Sequence, residues 1–208
     1  MMFHDPEKPM ATCEAISCEG CALKKDIHCH FGLKDLIHFL LIAVPPFLIG
    51  GYGIYNISGW LLVPWLVFVF AFFGFIEIRV LCSHCPHYAE EGSYLKCWAN
   101  YGSPKPWRYR PGPMTLVEKI IFFSGFAIIW GYPFFFMILS TQAFFIIVYS
   151  ITTCGFFVTL KTYMCSRCMN FACPLNSVKE ETRDRFMDCH GSPSGNRDEN
   201  DEKWQHHK

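Results

Sequence analysis

The sequence predicts an all-α integral membrane protein with four transmembrane helices in two antiparallel hairpins, and with cysteine-rich metal-binding segments on one face of the membrane. Three observations lead to this prediction. The 208 residues contain four separate apolar blocks, each of roughly 18 to 22 residues, which is the length that crosses a hydrocarbon core. The Lys and Arg residues are confined to one side of these blocks, and 11 of the 12 cysteines lie on that same side.

The first predicted hairpin consists of the apolar blocks 36–55 and 60–81, which the short uncharged connector 56–59 joins. Charged residues lie only at the ends of the blocks, where their side chains can reach the membrane interface. Prolines interrupt three of the four blocks. Proline is tolerated in a membrane helix when neighbouring helices satisfy the carbonyl groups that it frees.

The second predicted hairpin consists of the blocks 120–139 and 143–160, which the uncharged residues 140–142 join. Four such blocks packed inside a soluble protein would leave too little polar surface to cover them. The expected organisation is therefore a cysteine-rich amino-terminal segment, two hairpins, a central loop, a cysteine-rich turn and a polar, disordered tail. In residue numbers, the amino-terminal segment is 1–32, the hairpins are 33–81 and 117–162, and the central loop is 82–116. The cysteine-rich turn is 163–176 and the tail is 177–208.

The distribution of basic residues predicts the orientation. All 18 Lys and Arg residues lie before the first block, from the end of the second block to the start of the third, or after the fourth, and neither hairpin connector has one. The positive-inside rule then places both termini and the cysteine-rich segments in the cytoplasm of a multi-pass cell-membrane protein. The lipid bilayer is the expected surrounding partner. The net charge is zero, so no nucleic acid is expected as a partner.

The two hairpins end in similar sequences, Leu-Cys-Ser-His-Cys at 81–85 and Met-Cys-Ser-Arg-Cys at 164–168. Both follow an apolar block closely. The similarity suggests an internal duplication, in which two parallel units are related by an axis along the membrane normal.

Cysteines this dense in a reducing cytosol indicate metal binding or redox chemistry, because structural disulfides are rare there. A Cys-x-x-Cys turn directs two sulfurs at one metal, and the chain has three such turns. The candidate ligands are Cys13, Cys18, Cys21 and Cys29 in the amino-terminal segment, Cys82, Cys85 and Cys97 with His84 and His87 in the central loop, and Cys165, Cys168, Cys173 and Cys189 in the tail.

The spacings suit an iron–sulfur cluster or zinc equally. Zinc would take four thiolates, or three thiolates and an imidazole, and an iron–sulfur cluster would use the same thiolates. The tail run Cys-x2-Cys-x4-Cys-Pro loosely resembles the cysteine run of bacterial ferredoxins, with one cysteine fewer. No b-type haem is expected from this chain alone, because His38 is the only histidine near a helix interior and such a haem usually takes two.

The amino-terminal cysteines are expected to form a site of their own. The other two sets are expected to form separate sites, one of Cys82, Cys85 and Cys97 with a histidine and one of the four tail cysteines, because each turn has a third cysteine nearby. The alternative is one shared site in which the turns 82–85 and 165–168 face each other.

Three functions fit these residues. The first is a membrane-bound redox or electron-transfer subunit that works with other membrane or cytoplasmic redox subunits. The second is a zinc-stapled scaffold that binds a partner without chemistry of its own. The third is a thiol oxidoreductase or metal-handling protein that uses Cys-x-x-Cys pairs, whose thiols can have a lowered pKa.

Overall fold

The computed structural model describes residues 13, 18–90, 92–110, 112–171 and 173–190, which are helical with isolated bridges and no β-strand. The helices are α1 (Leu33–Tyr55), α2 (Gly59–His84), α3 (Pro86–Ala89), α4 (Leu116–Leu139), α5 (Ala143–Arg167) and α6 (Glu180–His190). Helices α1, α2, α4 and α5 have 23, 26, 24 and 25 residues and are apolar enough to cross a membrane. The prediction of four membrane-spanning helices is confirmed at this level, and it indicates a multi-pass membrane protein.

Helices α2 and α5 continue beyond the predicted apolar blocks and end in the cysteine turns. In α2, the π-helical turn Phe72–Ile76 precedes a short α-helical stretch, Glu77–Val80, and the 3₁₀ turn Cys82–His84. In α5, the π-helical turn Leu160–Met164 leads directly into the 3₁₀ turn Cys165–Arg167. The cysteines of the two turns therefore lie at the ends of long helices, which hold them more rigidly than a loop would.

The four long helices pack with α1 and α4 side by side at the centre. Helix α1 contacts α2, α4 and α5, and α4 also contacts α2 and α5. Aromatic rings fill the space between them, and Phe72, Phe122 and Trp130 are among the buried residues of this core. The set of contacts between these helices stays the same when the labels α1 and α4 are exchanged and the labels α2 and α5 are exchanged.

Pro133 illustrates how the helices tolerate proline. Because proline has no N–H group, the carbonyl of Ile129 in the preceding turn lacks its usual helical donor. The indole Nε1–H of Trp65 in α2 donates to that carbonyl at 2.9 Å, and both residues are buried. The bond links α2 to α4 and satisfies a polar group that lipid could not.

Glycines allow the helices to approach closely at particular points. A Cβ atom on Gly125 would lie 1.9 Å from the ring of Phe72, and one on Gly53 would lie 2.6 Å from the sulfur of Met137. Neither position has room for a side chain. Small residues at such contacts are typical of helix packing in membranes.

A second, smaller core lies outside the bundle and joins both ends of the chain. Leu23 and Ile27 pack there with Met169, Phe171 and Phe186. This differs from the expectation of a disordered tail from residue 177, because Glu180–His190 is helical and Phe186 is only 1% exposed. Phe186 packs edge-on against Phe171, and Val178 and Met187 pack against the same core. Residues 191–208 lie outside the described part of the chain.

Candidate functional site

The two Cys-Ser-x-Cys turns have the same local structure. Each begins as a 3₁₀ turn at its first cysteine. In each, the serine hydroxyl donates to the carbonyl four residues earlier, from Ser83 to Arg79 and from Ser166 to Thr162, both at 2.6 Å. These bonds satisfy carbonyls that would be unpaired at a helix end. The sequence similarity therefore extends to the side-chain hydrogen bonds.

Backbone N–H groups influence the second sulfur of each turn. Burial raises the pKa of Cys85 and of Cys168, and the backbone N–H groups of His87 and Asn170, respectively, oppose that rise. In both turns the donor lies two residues after the cysteine. Such donors favour the charged form of a sulfur, because a hydrogen bond to an anion is stronger than one to a neutral group.

The third cysteine of each half is in a similar position. The backbone N–H groups two and three residues later oppose the rise in pKa that burial causes, those of Ala99 and Asn100 for Cys97 and those of Leu175 and Asn176 for Cys173, and the N–H of Asn100 donates to the sulfur of Cys97 at 3.3 Å. The sequence Cys-x-x-Asn occurs at both places, 97–100 and 173–176. This repeat is a signal in the sequence that the search for Cys-x-x-Cys turns missed.

Six cysteines from the two halves line one cleft of about 1040 Å³: Cys82, Cys85, Cys97, Cys165, Cys168 and Cys173. Cys85 is close enough to Cys168 and Cys173 to interact electrostatically with both. The two sets of cysteines thus border one space, and the expectation of separate metal sites stays a prediction. They share this space because the cysteine-bearing ends of α2 and α5 both border it.

Burial keeps these thiols protonated. It raises the pKa of Cys85 well above its ordinary value, and the charge of Cys168 adds to the effect. Burial also raises the pKa of Cys97 and of Cys173 to about 12. A cation bound among them would reverse this effect, because a coordinating thiol is deprotonated.

Asn100 joins this site to the membrane helix α2. Its side-chain amide donates to the carboxylate of Glu77 at 3.1 Å and to the sulfur of Cys82 at 3.4 Å. Its own backbone N–H donates to Cys97 at 3.3 Å. Neither Asn100 nor the buried Glu77 was among the predicted site residues.

The two candidate histidines have different surroundings. His84 contacts the carbonyl of Gly112 through Nδ1 at 3.0 Å and the carboxylate of Glu118 through Nε2 at 3.3 Å, so it ties the central loop to the start of α4. His87 lines the cleft, and its Nδ1 lies 2.7 Å from Glu90. Of the two, only His87 lines the cleft.

The four amino-terminal cysteines also come together. Cys29 interacts electrostatically with Cys13, Cys18 and Cys21, and burial, followed by the charge of Cys13, raises its pKa to about 12. The backbone N–H of His28 donates to the carbonyl of Arg167 at 2.9 Å, which fastens this segment to the second turn. The side chain of Cys189, the remaining candidate ligand, lies outside the described part of the structure.

Aromatic rings pack together beside the cleft, among them those of His28, Phe31 and Trp98. His28 stacks on Trp98 with the ring centroids 4.7 Å apart and an angle of 27° between the planes. His28 adjoins Cys29 in the sequence, and Trp98 adjoins Cys97. One stacked pair thus connects a cysteine of the first group to a cysteine of the second.

As the side chains stand, no group of three or more His, Cys, Asp or Glu residues in the described ranges has an arrangement that could hold a metal ion. The thiols are close enough to interact electrostatically, but they do not form a closed coordination shell. Comparison with protein-family models, characterised proteins and solved structures finds no match for this chain. Its function has to be argued from the site itself.

Proposed function

We propose that this chain is a membrane-bound metal-binding protein that transfers electrons, with iron–sulfur centres held by the amino-terminal and the cleft cysteines. One observation carries the proposal: the stacked rings of His28 and Trp98 belong to residues next to Cys29 and Cys97, and so bring the two groups of thiols together. A scaffold that only staples loops does not need its sites to be close. Electron transfer between two centres does require it.

The hydrogen bonds to sulfur support thiolate ligands at the cleft. The backbone N–H of Asn100 donates to Cys97, and hydrogen bonds to the sulfurs are one of the means by which proteins set the potential of a cluster. Loading would draw the sulfurs inward, since thiolates bind iron or zinc at short distances, about 2.3 Å for zinc. The raised pKa values imply that loading releases protons.

The proposed arrangement in the membrane is two duplicated antiparallel hairpins with both termini in the cytoplasm. The helix starts support a duplication, since α1 and α4 begin 83 residues apart and each has an acidic residue at its third position, Asp35 or Glu118. Each of these carboxylates accepts from the backbone N–H just before its helix. The sequence has no nucleotide-binding motif, so we infer that electrons arrive from a separate redox subunit.

Anaerobic purification in detergent tests the metal. We expect a brown protein with iron and acid-labile sulfide, and an electron paramagnetic resonance signal after reduction. Cys97→Ser and Cys168→Ser should both reduce the same signal, because they belong to one cleft, and Cys29→Ser should reduce a different one. Cys154→Ser is the matched control, since Cys154 is exposed on α5 and lines no part of the cleft.

A colourless protein that contains stoichiometric zinc would replace this proposal with the scaffold function. A protein without iron or zinc, with thiols that cycle to disulfides, would instead support the thiol oxidoreductase. Independent losses of metal in Cys97→Ser and Cys168→Ser would restore the separate sites.

A further inference from the structure

The central loop is positively charged where it borders the membrane helices. Residues 92–117 contain four Lys and Arg residues, two Trp and three Tyr, and no Asp or Glu. Arg79, near the end of α2, adds a positive charge beside this loop, and its guanidinium lies 5.8 Å from the centroid of the Trp107 ring. Basic residues next to a membrane helix attract the anionic headgroups of phospholipids.

Trp107 fixes the level of this loop along the bundle. Its indole Nε1–H donates to the carbonyl of Phe75 at 3.3 Å, and Phe75 is 62% exposed on the apolar part of α2. Trp107 itself is 43% exposed. Tryptophan is enriched at the headgroup level of membranes, because its ring is apolar and its N–H is polar. The loop therefore lies at the boundary between the apolar surface of the bundle and its polar end.

The backbone around Trp107 is held in place, although its side chain is exposed. The hydroxyl of Tyr88 accepts from the N–H of Trp107 at 2.7 Å and donates to its carbonyl at 2.6 Å. The N–H of Arg110 donates to the carbonyl of Ser83 at 2.8 Å. Side chains on a fixed backbone lose less conformational entropy on binding than side chains on a mobile loop. The exposed groups are thus preorganised for a ligand.

Two arginines of this surface pair with the same buried carboxylate. Arg79 lies 3.5 Å from Glu118, and Arg110 also pairs with it. The side chains of Arg79 and Arg110 are still 39% and 35% exposed, and Arg108 is exposed as well. One carboxylate cannot neutralise two guanidinium groups, so a positive charge remains. Guanidinium groups bind phosphate oxygens through paired hydrogen bonds.

We propose that this surface binds the headgroup of an anionic phospholipid through a basic–aromatic site, which consists of Arg79, Trp107, Arg108 and Arg110. The guanidinium groups contact the phosphate, and the indole ring lies against the glycerol part of the lipid. The acyl chains follow the apolar surface of the bundle, where Phe75 and, at the start of α4, Leu116 are exposed. This apolar border favours a phospholipid over a soluble phosphate compound.

The basic–aromatic site is distinct from the cysteine cleft, because none of its four residues lines that cleft. Binding of a phospholipid there requires no metal and no electron transfer. The inference therefore goes beyond the proposed function and can fail separately from it.

The test is native mass spectrometry of the purified full-length protein in detergent, with phosphatidylglycerol or with phosphatidylcholine that has the same acyl chains. We expect the protein to retain one phosphatidylglycerol per chain and to bind phosphatidylcholine more than about fivefold more weakly, since a basic side chain near an anionic headgroup contributes about a factor of five. Glycerol 1-phosphate should not displace the lipid, because it lacks the acyl chains.

Two substitutions test the basic side chains. Arg108→Gln and Arg79→Gln should each weaken phosphatidylglycerol binding about fivefold. Arg79→Gln leaves Glu118 paired with Arg110, so the fold should persist, and the unfolding midpoint in detergent checks this. Arg185→Gln, at an exposed arginine of α6, is the matched control and should leave binding unchanged.

Three results would overturn the inference: equal binding of the two lipids, equal effects of Arg108→Gln and Arg185→Gln, or displacement of the lipid by glycerol 1-phosphate. The first would show that the bundle binds acyl chains without recognising the headgroup. The last would make the site one for a soluble phosphate compound. Selective retention of phosphatidylglycerol by a protein that purifies without iron or zinc would support this inference and refute the proposed electron-transfer centres.

Discussion

At the scale of single residues, the site depends on polar side chains that hold the sulfurs in place. Asn100 is the clearest case, because its amide contacts both the carboxylate of Glu77 and the sulfur of Cys82. Glu77 lies near the end of a membrane helix and is 7% exposed. The side-chain amide of Asn100 donates a hydrogen bond to its carboxylate. The pair fixes the central loop on α2.

Replacing Asn100 with Leu should therefore destabilise the protein. The change leaves the Glu77 carboxylate buried without its donor, at a cost of about 1–3 kcal/mol. Thermal unfolding in detergent should show a midpoint lower by several degrees. Asn56→Leu, at an exposed connector, is the control. Equal midpoints for the two variants would mean that the Asn100 contact contributes nothing to stability.

The reactivity of the buried thiols is a second prediction at this scale. At pH 8, a thiol whose pKa is about 12, as for Cys97 and Cys173, is ionised on the order of a thousandfold less than one with the ordinary value. Because only the thiolate reacts, iodoacetamide should modify these two residues slowly in reduced, metal-free protein. The rate, followed by peptide mass spectrometry, should rise about tenfold per pH unit from 8 to 11.

Unfolding in detergent is the control for this measurement, since it should make Cys97 and Cys173 react at the rate of ordinary thiols. A rate that levels off near pH 9 in the folded protein would contradict the raised pKa values. The exposed Cys21 provides an internal reference in the same sample.

At the scale of helices, the contact between α2 and α4 depends on the freed carbonyl of Ile129. Trp65→Phe removes the indole N–H that donates to this carbonyl and leaves the carbonyl buried without that donor, which we expect to cost about 1–3 kcal/mol. Differential scanning fluorimetry should detect a lower unfolding midpoint. Trp60→Phe is the matched control, because Trp60 is 85% exposed at the start of the same helix. A similar midpoint in both variants would show that Pro133 needs no such donor.

The close approach at Gly125 gives a second prediction for the same pair of helices. Gly125→Ala places a methyl group 1.9 Å from the Phe72 ring, so the ring or a helix must move. Overpacking of this kind costs about 1–3 kcal/mol or more. In Gly131→Ala, on the same helix, the new methyl group meets no atom within 4 Å, and the unfolding midpoint should not fall. A stable Gly125→Ala variant would refute the predicted contact.

At the scale of the whole molecule, the orientation of the bundle decides which compartment the cysteines occupy. Reporter fusions at Asn56 and Thr141 should report the outside of the cell, and fusions at both termini should report the cytoplasm. The reason is that all 18 Lys and Arg residues lie away from the two connectors. A terminus mapped to the outside would reverse the orientation and expose the cysteines to an oxidising environment.

Part of the candidate site was evident from local spacing. The Cys-x-x-Cys turns identified Cys82 and Cys85 and their counterparts in the tail, because two ligands on one turn need only the turn itself. Asn100, Asn170 and Trp98 were not identified, since an asparagine or tryptophan acquires a role only from what the fold places opposite it. His84 and His87 looked equivalent in the sequence, and only their surroundings separate them.

The four apolar helices, the location of 11 of the 12 cysteines in polar segments and the likeness of the two halves could be read from the sequence, because these depend on hydrophobic length and local spacing. Only the tertiary structure decided that both sets of cysteines border one cleft, that the amino-terminal group adjoins it through His28 and Trp98, and that Phe186 anchors a helix in the tail. Contacts between residues far apart in the chain are set by how the helices pack. Because the four helices are all apolar and similar in length, their periodicity does not determine which helices are neighbours. The fit of side chains between helices determines it, at positions such as Gly125.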